Sequence, residues 1–554
     1  MLRNNRFRMI TKSKLILLGI LFGTSFFPLQ KETPSQKPQN ILLIVADDLG
    51  YADLGSFGGD IDTPHLDELA NQGIRFSRFH SSPLCATSRA MFLTGNDNHI
   101  AGMGIQGRRE GVEGYEGYLS ERIITIPQLL QTKGYHTYMA GKWHLGAEPE
   151  HHPGKKGFEM FFITPQGGAN HYTNFGILPQ APISKYYENE SEVEWPEGAY
   201  STDFYTDKLI QYIGSNAKDG KPFFSFAAYT SPHWPLQVDE KYWKKYEGRY
   251  DSGYEELKRQ RFESLKKAGM IPEDAILPPS HPNVKAWDSL SPEEQKMEAR
   301  KMELYAGMVD NLDYNIGRLI QYLKEIGEYE NTLIVFMSDN GAAAEDFYYE
   351  DGFKELIREN HTDAFDAMGK PNSFISYGPQ WAEAGSSPFK YYKGFTTEGG
   401  MNVPMIISGP GVEKKGSIND SFLTLLDLAP TFYDLAEVNY PAEWNGKSVK
   451  PLLGASLLPV LTGKQQAIHA EDYVFGMEHN GYAMLRKGNW KILNTTRPFQ
   501  LDNFQLYNLS TDLAEQIDLK DQEPAKHQEM LGEWEKFTNR VGIILPTPTA
   551  KNDD

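Results

Sequence analysis

Two pairs of oxygen-bearing side chains, far apart in the chain, are the first chemistry this sequence offers. Asp47 and Asp48 close the stretch NILLIVADDLG (40–50), and Asp339 and Asn340 close NTLIVFMSDNG (331–341). A single Asp after an apolar run is usually a turn or cap residue. Two such pairs, each at the end of an apolar run, point instead to a shared cation. Ligation by oxygen alone suits Ca²⁺ or Mg²⁺ and disfavours zinc.

The chain has one cysteine, Cys85, in SPLCATSRAMFLTG (82–95). This excludes an intramolecular disulfide framework and any site built on several thiolates. A lone cysteine is ordinarily a small buried hydrophobe. The stretch also suits a helix starting at or just after Cys85, which would put Arg89 on the same face, four residues on. Helix N-terminal amides attract anions and would acidify a thiol. Further cationic or titratable candidates are Lys142 and His144 in GKWHLG, His233 in SPHWP, and Lys393 in YYKGFTTEGG. Lys142 and His144 are two apart and would share one side of an extended segment. Taken singly, each reads as a surface lysine or a satisfied histidine, and His65, His151 and His152 read as helix or loop surface.

These candidates need elements that bring them together. NILLIVA, KPFFSFAA and TLIVFMS are apolar and rich in β-branched or aromatic residues, as buried strands are. TPHLDELANQG (63–73) reads as a helix with Thr63 as N-cap, Pro64 at its first turn and Gly73 as stop. IRFSRFHS alternates like a strand, ERIITIPQLLQTKG is helical, and YHTYMAGKWHLG is a strand running into a loop. A long helix is expected at roughly 297–326. Strand and helix alternate throughout, which predicts an α/β fold with a large mixed, mostly parallel sheet flanked by helices. In open sheets of this kind ligands bind beyond the carboxyl ends of strands, where both oxygen pairs lie. Residues 240–300 are charged and read as a solvated insertion, with a lid over the site as the alternative. Residues 465–554 change texture to short strands and then a helix, a smaller C-terminal α+β domain.

The composition bounds the partners. The formal charge of −19 becomes about −24 once the five basic residues of the leader are set aside. Such a surface repels nucleic acid and acidic membranes, and an anionic substrate then needs a local cationic site. MLRNNRFRMITKSK followed by LILLGILFG is basic then apolar, and the apolar run is too short to span a bilayer stably. It reads as a signal peptide over 1–30, so a periplasmic or secreted protein without stable membrane association is expected.

Together ADDLG, CATSRAMFLTG with HIAGMG, GYHTYMAGKWHLG, SPHWPLQ, SDNG and YKGFTTEGG resemble the type I sulfatases of the alkaline phosphatase superfamily, most closely bacterial arylsulfatases. The resemblance runs from about residue 38 to the C-terminus. It implies a catalytic domain over 38–464, a C-terminal subdomain over 465–554, and conversion of Cys85 to Cα-formylglycine by a maturation enzyme. It further implies one Ca²⁺ held by Asp47, Asp48, residue 85, Asp339 and Asn340. The hydrated aldehyde would attack the sulfur of a sulfate ester with help from Asp339. His233 would protonate the leaving alcohol or phenol, and His144 would deprotonate the second hydroxyl to expel sulfate. Arg89, Lys142 and Lys393 would hold the sulfate oxygens. One departure stands out. The usual maturation signal is Cys-x-Pro-x-Arg, and Thr87 replaces the proline.

Three alternatives remain at this level. The same scaffold could hydrolyse phosphate monoesters or phosphonate esters. With Cys85 unconverted it could bind sulfate without catalysis, or act as a plain thiol hydrolase. The substrate could be an aryl sulfate or a sulfated carbohydrate. GGANHYTNFG (167–176) and the 240–300 segment are expected at the entrance, with His171 able to contact substrate.

Overall fold

The computed structural model describes residues 39–545 except 283. The expected signal peptide (1–30) lies outside the described residues. An eleven-stranded sheet organises the chain. Its order is Ser417–Asn419, Gly73–His80, Asn402–Ser408, Thr332–Ser338, Asn40–Ala46, Phe223–Ala228, His136–Lys142, Met160–Thr164, Tyr186–Glu188 and Ser191–Val193, with Leu423–Thr424 also pairing with Gly73–His80. The five strands from Thr332–Ser338 to Met160–Thr164 are mutually parallel. Asn402–Ser408 is antiparallel to both of its neighbours. The sheet is thus mixed with a parallel centre, as the sequence predicts.

Alternation along the central strand sets the two faces. Ile41, Leu43 and Val45 belong to one apolar cluster, with Met91, Phe92 and Leu93 of the Cys85–Thr94 helix. Leu42, Ile44 and Ala46 belong to the other, with Met308, Leu312 and Ile316 of the Pro292–Glu325 helix. That helix begins five residues earlier than expected, because Ser291 and Glu294 form a reciprocal capping box with Pro292 at the first turn. The helix expected from residue 121 instead spans Ile126–Gln131, capped by Thr125 and Gln128.

Residues 240–300 correct the sequence reading. They are not a solvated insertion. The Tyr254–Lys267 helix buries Tyr254, Leu257, Arg261, Phe262 and Leu265, and Trp243, Tyr246, Tyr250 and Trp287 join the same core. The charged residues between them hide an apolar stripe at helical spacing. Near the C-terminus, four antiparallel strands (Val474–His479, Tyr482–Lys487, Trp490–Asn494, Gln505–Asn508) carry the Pro524–Val541 helix. Phe475, Leu485, Ile492 and Trp534 extend the cluster that packs the Cys85 helix. No helix among the described residues is long and apolar enough to cross a membrane.

Candidate active site

Register brings the oxygen pairs together. Ala46 is level with Ser338 on parallel neighbouring strands, so Asp47–Asp48 and Asp339–Asn340 leave the sheet side by side. Val45 is level with Ala228, and Ala228 with Gly141, which places Lys142 and the segment to His233 at the same edge. Because Asn402–Ser408 runs the opposite way, its entry from Lys393 starts there too. Gly73–His80 ends at this edge and delivers the chain to Cys85.

Cys85 is the first residue of its helix and only 1% exposed. Asp47, Asp48, Cys85 and Asp339 each place one ligand atom within 4.8 Å of all the others. Asn340 completes the group: its Nδ2 donates to Asp48 Oδ1 (2.6 Å), and its Oδ1 is buried without a hydrogen-bond partner. An orphaned amide oxygen beside three carboxylates fits a hard cation.

Three cations are matched to the three carboxylates. Lys142 Nζ donates to both oxygens of Asp47 (2.9 and 2.8 Å). Lys393 Nζ donates to Asp48 Oδ2 (2.9 Å). Arg89 donates from Nε and Nη2 to Asp339 Oδ2 (3.0 and 2.8 Å) and from Nη1 to the Lys142 carbonyl (2.9 Å). Arg89 is therefore turned to Asp339 and the end of the Lys142 strand, anchored on a carboxylate as Lys142 and Lys393 are. With the charges balanced, the centre can accept a dication and an anion together.

The titration behaviour follows from burial and these pairs. Burial raises Asp47 against the pull of Lys142. Burial would raise Asp48 too, but Lys393, His233 and Lys142 outweigh it and bring it down to about 2. Burial and the Asp47 charge lift Asp339 to about 6 despite Arg89. The thiol of Cys85 is pushed up by burial, more than Lys142 and Lys393 can offset. Burial thus works against the acidified thiol expected at a helix N-terminus.

The two histidines have defined surroundings. His233 donates from Nδ1 to the Trp234 carbonyl (2.6 Å), which leaves Nε2 facing Asp48 Oδ2 at 3.5 Å. Burial, Lys393 and Lys142 push it down to about 3 despite Asp48, so the protein alone holds it neutral. His144 does not reach the site by strand alternation with Lys142, because it lies past the strand in a left-handed conformation (φ 59°). Burial and the Lys142, Arg89 and Lys393 charges push it well below its ordinary value, and Nδ1 is buried without a hydrogen-bond partner. Gly167 and Gly168 back these rings: a Cβ on Gly167 would meet the His144 imidazole at 2.7 Å.

Several supporting residues were not found by sequence reasoning. Asp53 accepts from Gly50 N (2.8 Å), Tyr305 Oη (2.6 Å) and Arg261 Nη1 (2.5 Å), and so fixes the turn after Asp48. His171 is not a substrate contact. It is buried, donates from Nε2 to the His233 carbonyl (3.0 Å) and accepts at Nδ1 from Ser201 Oγ (2.6 Å). His152, read as surface, is buried with its Nε2 on the Ala147 carbonyl. The only advance signal for Asp53 was its closeness to the Asp pair in sequence.

Comparison with known proteins agrees with this geometry. The sulfatase family model matches residues 39–438, and the model of the N-sulphoglucosamine sulphohydrolase C-terminal region matches 389–537. An arylsulfatase of Klebsiella aerogenes is 39% identical over 79% of this chain and 95% of its own. An uncharacterized sulfatase of Schizosaccharomyces pombe is 38% identical over 94% and 96%. The crystal structure of Ps i-CgsB in complex with a neocarrahexaose superimposes with a TM-score of 0.65 at 26% identity, covering 92% of this chain and 94% of that one. One matched family model thus contains every residue of the buried charged centre, and the chain belongs to the sulfatase family and is a sulfate ester hydrolase.

Proposed function

We propose that the chain is an exported arylsulfatase in which Cys85 is converted to Cα-formylglycine. One Ca²⁺ would be held by Asp47, Asp48, Asp339, Asn340 and residue 85. The observation that carries this reading is the buried convergence of one thiol and three carboxylates within 4.8 Å, ringed by Arg89, Lys142 and Lys393. The arylsulfatase named among the relatives supports an aryl leaving group, and the basic-then-apolar leader supports export.

The ion would supply positive charge against the sulfate oxygens, and the hydrated aldehyde would supply the nucleophilic hydroxyl. The chain's own residues do the rest. Lys142 and Lys393, anchored on Asp47 and Asp48, present ammonium groups to the anion in a site closed to bulk water. Asp339, held in place by Arg89, takes the proton of the attacking hydroxyl. His233 offers Nε2 to the leaving oxygen. The negative charge of the bound substrate opposes the burial and the lysines that otherwise keep the ring neutral, so His233 would take up a proton at Nε2 as substrate enters and pass it to the leaving oxygen. His144 stays neutral and is suited to accept the last proton, the step that frees sulfate.

Intact mass of the tryptic peptide spanning residue 85, from protein made in an aerobic host with a formylglycine-generating system, tests the reading. Conversion lowers the mass by about 18 Da, the difference between a thiol-bearing methylene and an aldehyde, at a nucleophile of the covalent type. Sulfate release from an aryl sulfate should scale with the converted fraction. An active enzyme with an untouched thiol would overturn it.

A further inference from the structure

The leaving-group side of the site has a wall that the catalytic assignment does not use. His233 marks that side. Its ring lies 4.2 Å from that of Trp234, and Trp234 meets Phe347 at 4.4 Å. Lys393 Nζ stands 6.0 Å from the Trp234 ring. Glu345, two residues before Phe347, brings Oε1 to 3.6 Å of Lys393 Nζ. Its other oxygen, Oε2, is buried and has no hydrogen-bond partner, while the side chain as a whole is 31% exposed.

Lys393 already has its counter-charge in Asp48 at 2.9 Å, so Glu345 is not needed to neutralise it. A carboxylate this close to a sulfate-binding lysine also opposes anion binding, a cost that nothing in the catalytic assignment explains. Buried acceptors ordinarily have a donor, and the partial exposure of the Glu345 side chain lets one approach from outside. We propose that Glu345 is a specificity-determining residue: it favours sulfate esters that carry a neutral hydrogen-bond donor beside the ester and rejects those with a second anion there. A neighbouring hydroxyl satisfies Oε2, whereas a second sulfate in that place meets a like charge. This rests on the reading of the site as one that binds the sulfate at Lys142 and Lys393, and it narrows the substrate class.

The test uses full-length, converted, Ca²⁺-loaded enzyme and three aryl esters: catechol monosulfate, phenyl sulfate and catechol disulfate, with sulfate release as the readout. The wild type should show kcat/KM in that descending order, with monosulfate over disulfate by tenfold or more, on the order expected for a juxtaposed like charge. In Glu345→Gln and Glu345→Ala the monosulfate-to-disulfate ratio should fall by about tenfold. Asp351→Asn removes an exposed carboxylate paired with Lys354 on the same segment and should leave the ratio as in wild type. The proposal is overturned if the wild type takes the disulfate as readily as the monosulfate, if both Glu345 variants keep the wild-type ratio, or if Asp351→Asn shifts it equally. Release of no sulfate from any of the three by verified converted enzyme would overturn the reading of the site itself, and the proposal with it.

Discussion

Gly167→Ala separates the two half-reactions by sterics alone. Gly167 has no left-handed backbone to protect. An added methyl would stand 2.7 Å from His144 Cε1 and 2.8 Å from Nε2. Ordinary contact begins near 3.4 Å, so the imidazole must retreat by roughly 0.7 Å in a close-packed surround. His144 has little main-chain slack, being held at φ 59° between Trp143 and Leu145, both buried. A displacement near 1 Å costs about 10²-fold in rate, within the ~10²–10⁴ that a positioned general base supplies. We expect kcat on an aryl sulfate to fall about 10²-fold and stability by about 1–3 kcal/mol from the overpacking, with the assay run where the variant is fully folded. Because the proposed role of His144 is in the step that frees sulfate, the loss should fall there. In a rapid-mixing experiment phenol release should run ahead of sulfate release by one equivalent per active site. Gly168→Ala is the control: its methyl meets the mobile end of Ile177 at 2.8 Å and the His233 ring only at 3.4 Å. Near-wild-type turnover in Gly167→Ala would refute the reasoning, and so would a slow enzyme whose two products appear together.

Three other outcomes can be checked directly. Lys491 Nζ is shared by Glu398 (2.8 Å) and Glu515 (2.6 Å) at the buried junction of the main and C-terminal sheets; Lys491→Met leaves both acids without their cation and should cost about 3–5 kcal/mol in urea unfolding. Burial would lower His99, but Asp97 at 2.9 Å and Glu478 at 3.6 Å raise it from 6.5 to about 9; the stability it brings, about 3 kcal/mol, is full below pH 6.5 and lost as pH climbs through 9. Melting temperature against pH should therefore fall across that window in wild type and flatten in His99→Gln. Finally, Asn340→Leu removes the orphaned amide oxygen, and calorimetric titration with Ca²⁺ should show binding weakened at least tenfold, on the scale of a lost ligand-sphere contact, while wild-type affinity in the variant would remove Asn340 from the cation site.

The residues at the sheet edge were legible because their strands announce themselves. Asn40–Ala46 and Thr332–Ser338 are buried along their whole length, so their sequences are apolar without interruption, and each oxygen pair follows at once. Register did the rest, and register in a parallel sheet follows from strand ends that lie level. What stayed hidden was cross-chain pairing. Nothing near Arg261 says that it reaches Asp53 (2.5 Å) and Asp60 (2.9 Å), and without those partners its helix reads as solvated. His171 was misjudged for a similar reason: a histidine in a glycine-rich loop looks available until Ser201 and the His233 carbonyl occupy both ring nitrogens. At the thiol two effects compete: a helix N-terminus favours a thiolate, and burial, with Asp339 and Asp47 nearby, opposes it.

That burial also bears on Thr87, which stands where the usual maturation signal has proline. Thr87 is the third residue of the Cys85 helix, where no backbone acceptor exists within the helix, so a proline would cost the folded state no helical hydrogen bond. The threonine instead donates from Oγ1 to the Leu84 carbonyl (2.9 Å) and meets Ser82 Oγ at 2.5 Å, which ties the helix start to the preceding turn. A proline there would leave the buried Ser82 hydroxyl without this partner. In the extended chain proline restricts the backbone and threonine does not. Residue 85 is closed to solvent once the helix docks, so the proposed conversion would have to precede docking. Under the proposed conversion of Cys85 the segment would answer two separate demands, one from a modifying enzyme on the open chain and one from the charged centre on the closed one, and Thr87 serves the second through its bonds to Leu84 and Ser82.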